Sequence, residues 1–400
     1  MKESFVMKEV FCGFVFDSDK EAELLAVSRI GLQVAANQYQ IGFLRGLANE
    51  NINIISALST GAFPRLNRRL LYKSDKKKAE YGEIDYLPFI NLPIVRDFIF
   101  EKSLYSRLKK QIKSGEVVRV FVYSLYMPFL KPLKRLKKKY GDRLHISLII
   151  PDLPGKYGIL RSKYSLRGIK DRIEADKKMS LANYADSFVF LTESMSELFD
   201  KKPYSVIEGF LPHCEFNYEN ERQSKTVLYT GSLNPAFGIT TLLKAFESID
   251  DPDYRLWICG AGDGKAAVEA AAERDSRIMY KGFLPKSEIA ELQTKCDVLI
   301  NPRPADGEYT KYSFPSKTME YLLSGSKVVM HRLDGIGEEY YKYIRVIDEH
   351  TPSAMAKAIT TACEDKDFYT SRFMEQVEWI RESKSSVEQV KKYLEKSYES

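Results

Sequence analysis

The 400-residue chain is poor in the residue types that build metal and disulfide sites. It has four histidines, none at metal-ligand spacing, so a structural zinc site is not expected. Its five cysteines (Cys12, Cys214, Cys259, Cys296, Cys363) are odd in number, scattered and never paired as C-x-x-C. Four lie in or beside apolar runs, which reads as buried free thiols in a reducing, cytoplasmic setting. No stretch reaches the ~18 uninterrupted apolar residues of a membrane span. The charged start (Lys2, Glu3, Lys8, Glu9) lacks the layout of a signal peptide. No period marks a repeat protein. A composition of 44% hydrophobic and 29% charged residues excludes disorder and collagen, and the length suggests two or three domains.

The charge is unevenly placed. Residues 1–200 hold 34 basic and 23 acidic groups, whereas residues 201–400 hold 27 and 32. Two runs dominate: Arg65, Arg68 and Arg69 with Lys76, Lys77 and Lys78; and Lys131, Lys134, Arg135, Lys137, Lys138 and Lys139. The second alternates with Phe129, Leu130, Leu133 and Leu136, so a helix would be apolar on one side and cationic on the other. That layout suits an anionic membrane surface. The simpler reading is a solvated helix whose lysine stems shield a sheet. Nothing resembling a recognition helix or a stacking-aromatic motif accompanies the charge, so nucleic acid is not expected as a partner.

Two stretches share one rhythm. In the first, strand-like runs at 10–16, 52–57, 117–123, 145–150, 187–191 and 205–208 alternate with helical patterns at 32–49, 96–113, 129–140, 166–184 and 194–200. In the second, strands are expected at 227–230, 255–259, 277–280, 298–300, 327–331 and 343–346. Helices are expected there at 239–247, 265–274, 286–295, 316–324, 336–341 and 353–365. Alternation of this kind predicts an α/β protein with parallel sheets covered on both faces. Residues 211–225 are polar and patternless and read as a linker. The expected domains are 1–210 and 226–372, with a helical tail, 373–400, packing back on the first. Two doubly wound domains would place a ligand between them, at the carboxyl ends of the strands.

Three loops of the second half carry chemistry. Gly231 and Ser232 follow the first strand, where glycine lets backbone amides approach an anion. Gly260, Gly262 and Gly264 superficially suggest a dinucleotide fingerprint, but the third glycine is misspaced and Tyr280 and Lys281 stand where an acid is needed. Those glycines read equally as a tight turn. The third loop runs from Arg303 to Tyr312, Ser313, Phe314, Pro315 and Ser316, then into Lys317, Thr318 and Glu320. Pro315 with Ser313 or Ser316 makes a helix start. Lys317 and Arg303 would face phosphate oxygens, and Glu320 would accept hydrogen bonds from vicinal hydroxyls.

Asn301, Pro302 and Arg303, with residues 314–329, closely resemble the donor-site segment of family-4 glycosyltransferases. Residues 228–233, 256–262 and 277–284 extend the agreement in order and spacing over roughly 140 residues. The resemblance implies the GT-B fold, two doubly wound Rossmann-like domains facing a central cleft, and sugar transfer with retained configuration. It implies that Glu320 holds a nucleotide ribose, as the second glutamate of an E-x7-E pair. It also implies that the backbone of Gly282, Phe283 and Leu284 reads the base, and that Phe314, Pro315 and Ser316 meet sugar and phosphate. Three positions depart from the pattern: Tyr312 replaces the first glutamate, Ser232 and Phe237 replace the diphosphate-binding cations, and a histidine of the first domain falls near Tyr123 or Ser124. Arg303 and Lys317 are then expected to take over the diphosphate.

The expected activity is metal-independent transfer from a nucleotide sugar, expected to be UDP-linked, with no cofactor, to a glycan or lipid-linked saccharide in surface polysaccharide or glycolipid synthesis. Acceptor-side candidates are Asn37, Tyr123 and Asp152. Lys131, Lys134, Arg135, Lys137 and Lys138 would meet the inner membrane face. Two D-x-D matches, Asp17 with Asp19 and Asp251 with Asp253, lie in a charged stretch and a turn and make poor metal ligands. The alternatives are a non-catalytic partner subunit of the same fold and a nucleotide-sugar epimerase.

Overall fold

The computed structural model describes residues 7–113, 116–154, 166–199, 201–212 and 215–398; Cys214 lies outside them. The chain forms two compact units, residues 1–210 with 386–400, and residues 211–385. Among the described residues no helix is long and apolar enough to cross a membrane.

Unit 1 runs β1 (Lys8–Gly13), α1 (Ser18–Val27), α2 (Val34–Leu47), β2 (Asn53–Ser56), β3 (Leu71–Tyr72), β4 (Asp75–Ala79), β5 (Gly82–Tyr86), β6 (Phe89–Ile90), α3 (Pro93–Lys113), β7 (Val118–Tyr123), α4 (Met127–Tyr140), β8 (Leu144–Ile150), α5 (Leu166–Ala182), β9 (Ser187–Phe190) and β10 (Tyr204–Val206). The main sheet has the order β10-β9-β8-β7-β1-β2-β5-β4. Every pair is parallel except β4 with β5. β7 is buried along its whole length, as a central parallel strand must be when helices cover both faces.

Unit 2 runs β11 (Gln223–Thr230), α6 (Ile239–Glu247), β12 (Arg255–Cys259), α7 (Lys265–Arg274), β13 (Ile278–Gly282), α8 (Lys286–Lys295), β14 (Cys296–Asn301), α9 (Lys317–Leu323), β15 (Lys327–His331), β16 (Ile344–Ile347), α10 (Pro352–Glu364) and α11 (Phe373–Ser383). Its sheet is parallel throughout, in the order β13-β12-β11-β14-β15-β16. Alternate residues of β11 feed opposite cores. Val227 and Tyr229 pack with Leu242, Phe246 and Ile359. Leu228 packs with Met319, Tyr321 and Val377 on the other face.

The tail is divided. α11 packs on α9, where Gln376 donates to the carbonyls of Leu322 (2.8 Å) and Ser326 (3.2 Å). Only α12 (Ser386–Tyr398) returns to unit 1, lying on α2, with the Tyr393 hydroxyl 2.8 Å from that of Ser187. The expected linker is also largely part of unit 2. Tyr218 donates to the Leu323 carbonyl (2.7 Å), Arg222 donates to the Ser326 hydroxyl (2.6 Å), and β11 already begins at Gln223. Those polar side chains satisfy carbonyls at the end of α9, so their polarity marked a clasp rather than solvated chain.

The two basic runs also have structural partners. Lys76–Lys78 lie on β4, an edge strand, where Lys76 pairs with Glu83 (2.6 Å) and Lys77 with Asp17 and Asp19. Charged edges of this kind discourage further strand pairing. Asp17 also caps α1, accepting from the Lys20 amide at 2.8 Å. The second D-x-D pair is held by Lys225, 2.8 Å from Asp251 and 3.5 Å from Asp253. On α4, Phe129, Leu130, Leu133 and Leu136 are buried inside unit 1, so the apolar side expected to meet lipid belongs to the core. Lys137 points inward too, bonded to Asp186 (2.8 Å) and to the Leu144 carbonyl (2.8 Å).

Candidate functional site

In unit 2 the strand order reverses between β11 and β14, and the loops following their carboxyl ends are those singled out in the sequence. Two glycines fix how closely these loops lie. Gly260 has φ +144°, and a Cβ there would stand 1.8 Å from the Gly231 carbonyl oxygen. Gly238 has φ +85°, and its Cβ would stand 2.1 Å from the Pro302 oxygen. Backbone thus packs on backbone where the strands end, and only glycine fits. The Gly231 amide donates to the Cys259 carbonyl (3.0 Å) and the Gly260 amide to that of Gly282 (2.8 Å). These two amides stitch the loops together rather than offering themselves to an anion, a correction to the expectation for Gly231.

Arg303, just beyond β14, reaches the Ser313 hydroxyl with Nη2 at 3.0 Å. Its guanidinium lies 4.9 Å from the Tyr309 ring and 5.9 Å from the Phe237 ring. Its Nε is buried without a hydrogen-bond partner. A cation is therefore held rigidly between aromatic faces, with donor capacity to spare. Phe237, near which a diphosphate-binding cation was expected, instead presents its ring to Arg303.

α9 supplies the second group. Lys317 Nζ is 3.3 Å from Glu320 Oε1, and the same oxygen accepts from Gln293 Nε2 at 2.6 Å. Gln293 is fully buried, and fixes the glutamate from α8. Lys317 and Glu320 are both partly exposed. Lys281 stacks over Trp257 at 4.7 Å. Burial pushes the Cys259 thiol up to about 11, partly offset by the charges of Lys281 and Lys317, which places both ammonium groups near the end of β12. α9 is anchored by Tyr321, whose hydroxyl accepts from the Thr230 amide (3.2 Å) and donates to its carbonyl (3.1 Å).

The remaining predicted residues divide. Tyr312, Ser313, Phe314 and Thr318 are buried, whereas Ser316 is exposed and Pro315 intermediate. Phe314 packs against Tyr340 at 5.4 Å. Neither Ser313 nor Ser316 caps α9 with its side chain: Ser316 makes no capping bond, and Ser313 is engaged by Arg303. Phe283 is 83% exposed beside Gly282, and Leu284 packs partly into the second core. Gln293 and Tyr309 escaped the sequence reading; Tyr321 entered it only within residues 314–329, and Phe237 only as the replacement for a cation. A glutamine one turn after Ala290 on the buried stripe of α8 was the available signal for Gln293.

Unit 1 has its own switch point between β1 and β7. Asn37 is not a surface group there. Its amide clamps Phe16, accepting from the backbone N–H (3.0 Å) and donating to the carbonyl (2.9 Å). Tyr123 is nearly buried, and desolvation with the nearby Asp152 charge pushes its phenol well up. Asp152 is exposed. Ser124, next after β7, has φ +74°, a left-handed conformation costly for a side chain and characteristic of functional turns.

Each unit is thus a doubly wound sheet, and in the second the conspicuous loops gather at the strands' carboxyl ends. Residues 224–365, which lie within the second unit, match the family described as Glycosyl transferases group 1. No curated protein sequence matches the chain significantly. Among solved structures, it is similar to a sucrose-phosphate synthase from Thermosynechococcus elongatus, with TM-score 0.59 and 13% identity over 98% of this chain and 99% of that one. HepE of Anabaena in complex with UDP gives 0.60 and 13%, over 98% and 100%. An α,α-trehalose-phosphate synthase (UDP-forming) from Burkholderia vietnamiensis gives 0.61 and 9%, over 98% and 100%. The fold is GT-B, with two Rossmann-like domains.

Proposed function

We propose that the protein transfers a sugar from a nucleoside-diphosphate donor to a hydroxyl of a glycan or lipid-linked saccharide, with retained configuration and without a metal. Two observations carry this reading: Arg303 held between Phe237 and Tyr309 just beyond β14, and the Lys317–Glu320–Gln293 cluster at the start of α9. When the bond to the anomeric carbon breaks, charge accumulates on the diphosphate. Arg303 and Lys317 stabilise that charge, and each preorganised donor is worth about 3 kcal/mol. Both bonds to Glu320 fall on Oε1, so the carboxylate keeps acceptor capacity on Oε2 for the two ribose hydroxyls. The exposed Phe283 beside Gly282 offers a face to the base. UDP is the nucleotide in one similar structure, and UDP-sugars are the donors to try first.

Titration calorimetry with UDP tests the reading. Arg303→Ala, Lys317→Ala and Glu320→Ala should each weaken binding about tenfold or more, whereas unchanged affinity in all three would remove the site. A second reading, a non-catalytic partner subunit, is favoured by Tyr312, a buried tyrosine where the family pattern has a glutamate. Release of UDP from a UDP-sugar by the purified protein would exclude it.

A further inference from the structure

We infer that the outer face of α3, α4 and α5 in unit 1 docks on an anionic lipid bilayer. The apolar stripe of α4 cannot supply the lipid contact, because it is consumed by the core. Its neighbours supply it instead. On α3, Ile94 is 86% and Phe98 60% exposed, one turn apart on the same side. On α5, Ile169 and Ile173 are 47% and 49% exposed, again one turn apart. Two pairs of large apolar side chains therefore project from helices that both pack against α4.

The helix between them is cationic, with six basic groups and no acid from Met127 to Tyr140. Lys131 and Arg135 reach across to Glu101 of α3, at 3.5 and 2.9 Å, yet remain 49% and 64% exposed. On the α5 side, a groove of about 730 Å³ is lined by Met127 and Ile173 with Lys134, Lys138 and Lys177, and by a single acid, Asp176. Apolar knobs on both flanks of a cationic ridge match the chemistry of an anionic bilayer, where cations meet headgroups and side chains enter the acyl boundary. A nucleic acid would not reward water-exposed Ile94 and Phe98. A two-fold contact with a second copy would oppose ridge to ridge, and like charges would repel.

Each of the three helices ends at the amino end of the next sheet strand, so the N-terminal halves, which carry Ile94, Phe98, Met127, Lys131, Ile169 and Ile173, lie towards the strands' carboxyl ends. Tyr123 and Asp152 lie at that same edge. If the proposed sugar transfer holds, the acceptor end of unit 1 borders lipid; the docking itself does not depend on it.

Co-sedimentation of the full chain with vesicles tests the proposal, comparing phosphatidylcholine alone with an equal mixture of phosphatidylcholine and phosphatidylglycerol. Binding is expected to the mixture only and to weaken with salt. Reversing charge with Lys134→Glu and Lys138→Glu should weaken it about thirtyfold or more. Ile94→Ser with Phe98→Ser should weaken it comparably while circular dichroism stays unchanged. The reversal Lys265→Glu with Lys357→Glu, in unit 2, should leave binding intact. Equal binding to both vesicle types, no binding, or loss with the unit 2 reversal would overturn the proposal. So would sedimentation showing a dimer that Ile94→Ser with Phe98→Ser disperses without any lipid effect.

Discussion

The two units are built from the same alternation of strand and helix, yet they place their conspicuous residues differently. Unit 2 concentrates them where strands end: glycines that let loops touch, an arginine gripped by aromatic rings, and a glutamate held by a buried glutamine. Unit 1 spreads them over its outside, as a charged edge strand, a cationic helix and exposed isoleucines, while its own switch point is closed by Asn37, Tyr123 and other aromatics. The difference teaches that local chemistry is most legible where backbone geometry itself demands a residue type.

Three experiments would break or sharpen this contrast. The largest effect is expected from Arg303→Ala, which should reduce donor turnover about a hundredfold, as the loss of one preorganised donor to the leaving group predicts. Asn37→Ala, measured beside it, should leave UDP affinity unchanged because its amide serves only the Phe16 backbone. Equal losses from both would erase the division of labour.

Next comes the backbone. Gly260→Ala drives a Cβ into the Gly231 carbonyl and should destabilise unit 2 by roughly 3 kcal/mol, seen as faster amide exchange confined to residues 211–385. Asn37→Ala leaves a buried N–H and carbonyl unpaired and should cost unit 1 about 2 kcal/mol.

The effect that is smallest at neutral pH is that of two histidines. Burial, reinforced by the neighbouring His350, holds His331 down at about 4, and burial with the nearby Arg119 holds His145 of unit 1 at about 4. Each histidine is neutral in the fold and more basic when unfolded. Its stability contribution is therefore complete above the unfolded value of 6.5 and is lost as pH falls from there towards 4. His331→Gln should flatten that acid slope in unit 2, by roughly 3 kcal/mol at pH 4, and leave the slope of unit 1 intact. Amide exchange across the pH range reads both.

The parallel strands were legible because central strands are mostly apolar, as at residues 118–123, where Arg119 is the one charged residue, and α9 because its flanking loops are distinctive. What the sequence concealed were elements whose residues looked committed elsewhere. Residues 75–79 read as a basic run because an edge strand needs charge rather than apolar alternation. α1 was hidden behind Asp17, read as half of a D-x-D pair although an acid before Ser18, with Asp19 and Glu21 following, is a helix-start signal. Residues 211–222 read as solvated because their partners, the carbonyls closing α9, lie over a hundred positions away. At the site, the legible part was Arg303, Lys317 and Glu320. The rings around Arg303 and the glutamine behind Glu320 come from other loops and another helix, and no spacing announces them.

Amide exchange with and without saturating UDP addresses the account most directly. Protection is predicted in unit 2 at residues 301–320 and 231–238, with the β1–β7 end of unit 1 unchanged. Protection at residues 13–16 and 123–126 instead, or none anywhere, would contradict it.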